Sequence, residues 1–269
     1  MRWFRDRFSR PDPVIDPERW ARVRAAVPWV AALDSVRDAR LAGLAARFLA
    51  AKTLTPVGDL TLDDDRRAML AALCCLPLLE FGADGLRGWS QLIVYPEAFK
   101  IERRYSDVYE TDGFELVEEG VDEVDGEAWE HGPLVLSWAD IEHELQHPRD
   151  GRCLAVHEMA HKLDVLEGGF SGTPPLPREW RRAWVQDFEA AYDAFAERVD
   201  AGRRTAIDAR AAEAPEEFFA VCSEYHFSAP GRLRQALPTV AAHLERFYGP
   251  SPFAKSAVAM AASDVATDG

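Results

Sequence analysis

The sequence predicts an α+β chain, and three observations carry that class. Apolar residues recur at three- and four-residue steps over the first 80 or so positions. The middle of the chain holds short β-branched and aromatic runs bounded by Gly and Pro. Helical spacing returns from Asp150 onward. At 269 residues the chain suffices for one large domain or two modest ones, and it needs neither disulfide nor metal to hold a core.

Residues 1–15 are rich in Arg, Asp and Pro and read as a loose arm. Asp16-Pro17 opens the first helix, with Pro in the first turn. Helices are expected over 16–27, 35–52 and 64–81; Leu41, Leu44, Phe48 and Leu49 line one face of the second, and Met69, Leu73, Leu76 and Leu79 one face of the third. Character changes near Gly82. Gly88–Tyr95, Phe114–Val117 and Pro133–Trp138 are strand-like, and the acidic stretch 117–132 reads as an excursion between strands. Helices follow at 150–166, 178–200, 214–227 and 231–248. This divides the chain into an N-terminal helical layer over 1–85, a core over 86–253 and a disordered tail over 254–269.

Composition narrows the function. The formal charge is 31 − 46 = −15, which argues against direct binding of nucleic acid, where phosphate neutralisation needs a surplus of Lys and Arg. The four cysteines, Cys74, Cys75, Cys153 and Cys222, form no CxxC pair and read as reduced thiols, as in a cytoplasmic protein. The basic start lacks an apolar segment behind it, and the longest uncharged apolar run, Ala68–Leu79, is too short to span a bilayer, so no membrane partner is expected.

One segment carries chemistry: Leu154-Ala-Val-His157-Glu158-Met-Ala-His161-Lys-Leu-Asp164, which contains HExxH. On a helix the two histidines lie about 40° apart in projection, so their imidazoles converge on one ion; Glu158 lies about 100° round from His157, beside the ion rather than on it. Two neutral imidazoles hold Zn²⁺ and a neighbouring carboxylate takes the proton of the attacking water, which is the arrangement of a zinc hydrolase. Ala155, Val156, Met159, Ala160, Leu163 and Leu166 back the helix with apolar surface.

Such a site needs a third protein ligand. The immediate continuation HExxHxxGxxH would place it at Glu167, but Asp164 stands where that pattern has glycine, so the chain lacks the freedom to turn there. The other source is the segment Ala214–Tyr225, opened by Pro215. Its Glu217 and Glu224 are seven residues apart on one helical face, with Phe219, Ser223 and His226 on the other. An inward glutamate among phenylalanines is expensive unless ligated or paired; the alternative is that both carboxylates face solvent. Asp164, one turn past His161, either accepts a hydrogen bond from a ligand imidazole or makes a salt bridge at the helix end.

With these residues in hand, the chain resembles the Mlc titration factor A family of bacterial zinc-dependent peptidases, whose active site is similar to that of the anthrax lethal factor catalytic domain. The resemblance runs from Trp20 to Phe253 and is carried by Phe48–Lys52, Gly132–Trp138, His157–Asp164, Pro175–Pro177, Pro215–Tyr225 and Phe227–Pro230. It implies a gluzincin-like core of a small mixed sheet and active-site helices. It also implies His157, His161 and Glu217 as zinc ligands and Glu158 as general base, with Glu224 in a supporting role. The family has a tyrosine seven residues before the ligand glutamate, assisting the oxyanion; here that position is Arg210, a charged multiple donor that either takes over the role or pairs with a carboxylate. Tyr225 and His226 are alternative donors. The expected activity is aminopeptidase-type hydrolysis of short peptides. Because a family member binds Mlc, a transcriptional repressor of sugar uptake, an Mlc-like repressor is an expected partner and an anti-repressor role the alternative function. The strand Leu134–Ser137 is either a sheet edge that pairs with an extended substrate or an ordinary sheet strand.

Overall fold

The computed structural model describes residues 13–97, 132–167 and 169–254. The expected strand Phe114–Val117, the arm up to residue 12 and the tail from 255 onward lie outside the described residues. Among the described residues the architecture is mostly helical around a three-stranded parallel sheet, consistent with the α+β class.

Three N-terminal helices each open on an aspartate. Asp16 caps α1 (Pro17–Ala26), Asp34 caps α3 (Ser35–Ala51) and Asp63 caps α4 (Asp64–Cys75), each carboxylate accepting a first-turn backbone N–H; α2 (Pro28–Ala31) is a single turn between the first two. The third expected helix is shorter than its apolar spacing suggests, since Pro77 forces a 3-10 turn over Leu76–Leu78. Trp20 donates its indole N–H to Asp38 at 3.0 Å, and Arg22 grips Asp65 with two nitrogens at 2.7 and 3.0 Å, fastening α1 across α3 and α4.

The stretch read as purely helical also supplies a strand. β1 (Thr53–Pro56) follows α3 directly and pairs in parallel with β2 (Gln91–Tyr95), which pairs in parallel with β3 (Leu134–Ser137). In register, Leu54, Leu92 and Leu134 sit side by side, as do Val94 and Leu136. All five are buried, as parallel strands covered by helices require. Lys52 locks the entry to the sheet: buried, it donates to the carbonyl oxygens of Leu86 and Trp89, lies 3.8 Å over the Trp89 ring, and has its pKa pulled down by burial to about 8.

A helix that the sequence reading missed comes next. α5 (Trp138–Gln146) begins where the strand-like run ends, with the Ser137 hydroxyl accepting the Asp140 N–H at 3.1 Å. Then come α6 (Leu154–Asp164), α7 (Arg178–Asp200), α8 (Pro215–Ser228), α9 (Pro230–Ala236) and α10 (Pro238–Tyr248). α6 and α8 lie against each other at the centre, with α4 and β3 also touching α6. Trp184 stacks on Phe188 at 4.3 Å and meets Phe219 and Phe247 edge-on, joining α7, α8 and α10. No helix of the described residues is long and apolar enough to cross a membrane.

Candidate metal centre

The HExxH segment is α6. Its Ala155, Val156, Met159, Ala160 and Leu163 are fully buried, so the polar positions of the same helix are carried into the interior with it. His157, Glu158, His161 and Asp164 are exposed by only 5, 6, 3 and 1%. Such burial of four ionisable groups on one helix requires partners.

α8 brings partners for the two imidazoles. Glu217 lies in its first turn and reaches both imidazoles: its Oε1 is 3.0 Å from His161 Nε2 and its Oε2 3.4 Å from His157 Nε2. The two Nε2 atoms are 3.2 Å apart. The three side chains thus form a cluster able to hold a metal ion. Metal–ligand bonds of about 2.05 Å in a tetrahedron separate ligand atoms by about 3.3 Å, so the spacing of this donor set fits a divalent ion. Glu167 ends a 3-10 turn after α6, and the cluster contains Glu217 in its place.

Glu224, one face-repeat further along α8, turns inward as well. Its Oε1 accepts from His157 Nδ1 at 2.9 Å, and its Oε2 accepts the Cys153 backbone N–H at 2.8 Å. The first bond directs His157 Nε2 toward Glu217 and His161. The second satisfies a free N–H at the start of α6, whose N-cap residue, Cys153, makes no side-chain cap. Glu144 of α5 does the same for the neighbouring Leu154 N–H, 3.0 Å from each carboxylate oxygen. Burial, aided by the nearby Glu224 charge, pushes the Glu144 carboxyl up to about 8. The sequence carried one signal for this long-range cap: a helix start with no Ser, Thr, Asp or Asn in place.

The electrostatics favour positive charge between the carboxylates. Burial alone depresses the His157 pKa, but Glu217 and Glu224 reverse this and hold it at about 10. Burial raises Glu217, yet the His157 and His161 imidazoles bring it well below the ordinary carboxylate range. A divalent cation meets the same demand.

Among the described residues Asp164 meets neither an imidazole nor a cationic side chain. It accepts three backbone N–H groups, from Ser171 and Gly172 at 2.8 Å and Thr173 at 2.7 Å, folding the loop after α6 back onto the helix end. The acceptor for the His157 imidazole is Glu224. Arg210 lies in a 3-10 turn, Ala209–Ala212, capped by Asp208; its Nη2 is 3.2 Å from Glu224 Oε1 and its Nε 3.5 Å from Asp208. Tyr225 packs under Gly151 and Arg232, and His226 packs on Phe227 and Tyr248.

Residues 1–249 match the family described as glucose-regulated metallo-peptidase M90. Relatives named Mlc titration factor A are 37% identical in Serratia proteamaculans over 233 residues, covering 86% of each chain, and 37% identical in Escherichia fergusonii over 230 residues, covering 84% of each. The relative of that name from Yersinia pestis is 36% identical over 232 residues, covering 85% of this chain and 83% of its own. The chain therefore belongs to the M90 family of metallopeptidases.

Proposed function

We propose that the chain is a zinc-dependent metallopeptidase acting on short peptides, with His157, His161 and Glu217 as the zinc ligands and Glu158 as the general base. The observation that carries the reading is the convergence of His157 Nε2 and His161 Nε2, on the helix that also carries Glu158, with the Glu217 carboxylate of α8, all within 3.0–3.4 Å of one another. Two imidazoles and one carboxylate are a donor set that zinc takes in hydrolases with an open fourth position.

Bound there, zinc supplies Lewis-acid polarisation of the scissile carbonyl and a lowered pKa for the attacking water. Glu158, buried on the same helix, accepts the proton of that water and passes it to the departing amine. Glu224 holds His157 through its Nδ1, keeping Nε2 as the ligating atom. Lys162 donates to the Gly132 carbonyl at 2.8 Å, tying β3 to the site helix so that an extended peptide paired with that strand runs past the metal ligands. Aminopeptidase specificity is implied by the family resemblance, and four buried free thiols are in keeping with a cytoplasmic location.

Metal analysis tests the ligands: purified protein should carry one zinc and His161→Ala should lose it. Glu158→Gln should keep zinc while hydrolysis falls 10²–10⁴-fold. Peptides with free and acetylated amino termini then report the cleavage direction. A second reading rests on the relatives' name. A chain that binds an Mlc-like repressor and cleaves no peptide in a broad library would be an anti-repressor with a vestigial site.

A further inference from the structure

We propose that Arg210 is a positioning residue that acts on His157 through Glu224, and thereby sets how tightly the site holds its ion; this rests on the metallopeptidase reading above. One carboxylate oxygen carries the link. Glu224 Oε1 faces His157 Nδ1 at 2.9 Å and Arg210 Nη2 at 3.2 Å. The Glu224 side chain is 3% exposed, and its other oxygen is occupied by the Cys153 N–H. A carboxylate so deeply buried needs a cation or several donors beside it. Arg210 supplies the permanent positive charge.

The guanidinium is aimed from behind. Asp208 caps the turn that bears Arg210, accepting its backbone N–H at 3.1 Å, and lies 3.5 Å from Arg210 Nε; Arg152 pairs with the same aspartate at 3.4 Å. Two of the guanidinium nitrogens of Arg210 thus face carboxylates. Without Arg210, Glu224 keeps the Cys153 and His157 N–H donors but loses its permanent cation. The carboxylate is then free to turn, and as it does His157 Nδ1–H loses its acceptor and Nε2 its orientation.

The competing role, an oxyanion donor, makes a different forecast. An oxyanion donor affects turnover and leaves zinc affinity alone. Zinc affinity is therefore measured directly, by competition with a chromogenic chelator, for wild type, Arg210→Ala, Arg210→Lys, Glu224→Gln and the double variant Arg210→Ala/Glu224→Gln. The expected result is a 10–100-fold weakening in Arg210→Ala, substantial recovery in Arg210→Lys, and a double variant no weaker than Glu224→Gln alone. Wild-type zinc affinity in Arg210→Ala together with slower peptide hydrolysis would overturn the proposal in favour of direct catalysis. Losses that multiply in the double variant would overturn it too. Circular dichroism of the metal-free variants reports folding; should Arg210→Ala fail to fold, Arg210→Gln carries the comparison. Failure of the underlying metallopeptidase reading shows separately, as wild-type protein that takes up no zinc.

Discussion

Gly172 rests directly on the backbone of Pro215: a Cβ at residue 172 would come within 2.7 Å of the Pro215 carbonyl oxygen, and the glycine has φ +70°. Pro215 is the first residue of α8, two positions before Glu217, so the loop after the histidine helix sets where the third candidate ligand begins. Gly172→Ala meets both a left-handed backbone and an overlap with main chain. These add to roughly 2–4 kcal/mol, with a fall in Tm of about 5–10 °C. Zinc binding should weaken alongside. Unchanged melting and unchanged metal titration would show that this contact does not position Glu217.

Asp164 holds the same loop from the other side. Its three backbone donors include the buried N–H groups of Gly172 and Thr173. Asp164→Ala leaves them without that acceptor at about 1–3 kcal/mol each, so a total loss of around 3 kcal/mol is expected after partial rehydration. Asp164→Asn keeps one acceptor oxygen and should lose about half as much. Urea denaturation of metal-free protein separates the two; equal stability of Ala and Asn variants would mean the carboxylate is not the anchor.

The parts of this site legible in the sequence are those with a fixed local period. The four-residue spacing of His157 and His161 places both on one helix face, and the seven-residue spacing of Glu217 and Glu224 does the same on α8. Which atom each carboxylate would meet was not legible, because that depends on how α6 lies across α8. Asp164 illustrates the limit: spacing pointed it at an imidazole or a cation, whereas the chain returns seven to nine residues later to offer three N–H groups. β1 escaped for a different reason. Thr53-Leu54-Thr55-Pro56 is too short for periodicity to register, and it is a strand because β2 lies beside it. α5 was hidden by the apolar run that precedes it, although Ser137 and Asp140 carry the spacing of an N-cap.

Removing the metal should cost stability as well as activity. The metal-free site encloses two imidazoles and two carboxylates, Glu217 and Glu224, whose side chains are mostly buried. Zinc at a hundred times its dissociation constant adds about 2.7 kcal/mol to folding. Chelation should therefore lower Tm by roughly 5–10 °C, and restored zinc should bring it back. His161→Ala should melt at the same temperature with and without chelator. A wild-type Tm indifferent to chelator would mean that the native fold does not bind the ion preferentially.

His226 gives a pH dependence that is independent of the metal. It is 4% exposed, and burial, opposed by a hydrogen bond to the Gly249 backbone, pulls its pKa from 6.5 to about 4. The folded chain thus keeps this imidazole neutral where the unfolded chain protonates it. The unfolded state binds more protons between pH 6.5 and 4, so this contribution to stability is complete above pH 6.5 and is lost as pH falls through that window. From the two pKa values the loss is about 1 kcal/mol by pH 5.5 and between about 2 and 3 kcal/mol by pH 4.5. His226→Gln does not titrate there. Urea denaturation in the presence of chelator at pH 7.5, 5.5 and 4.5 should therefore show wild type losing ground on the variant by those amounts as acidity rises. Parallel curves for the two proteins would mean that His226 takes up its proton as readily folded as unfolded, and that the packing of Phe227 and Tyr248 around it admits a charge.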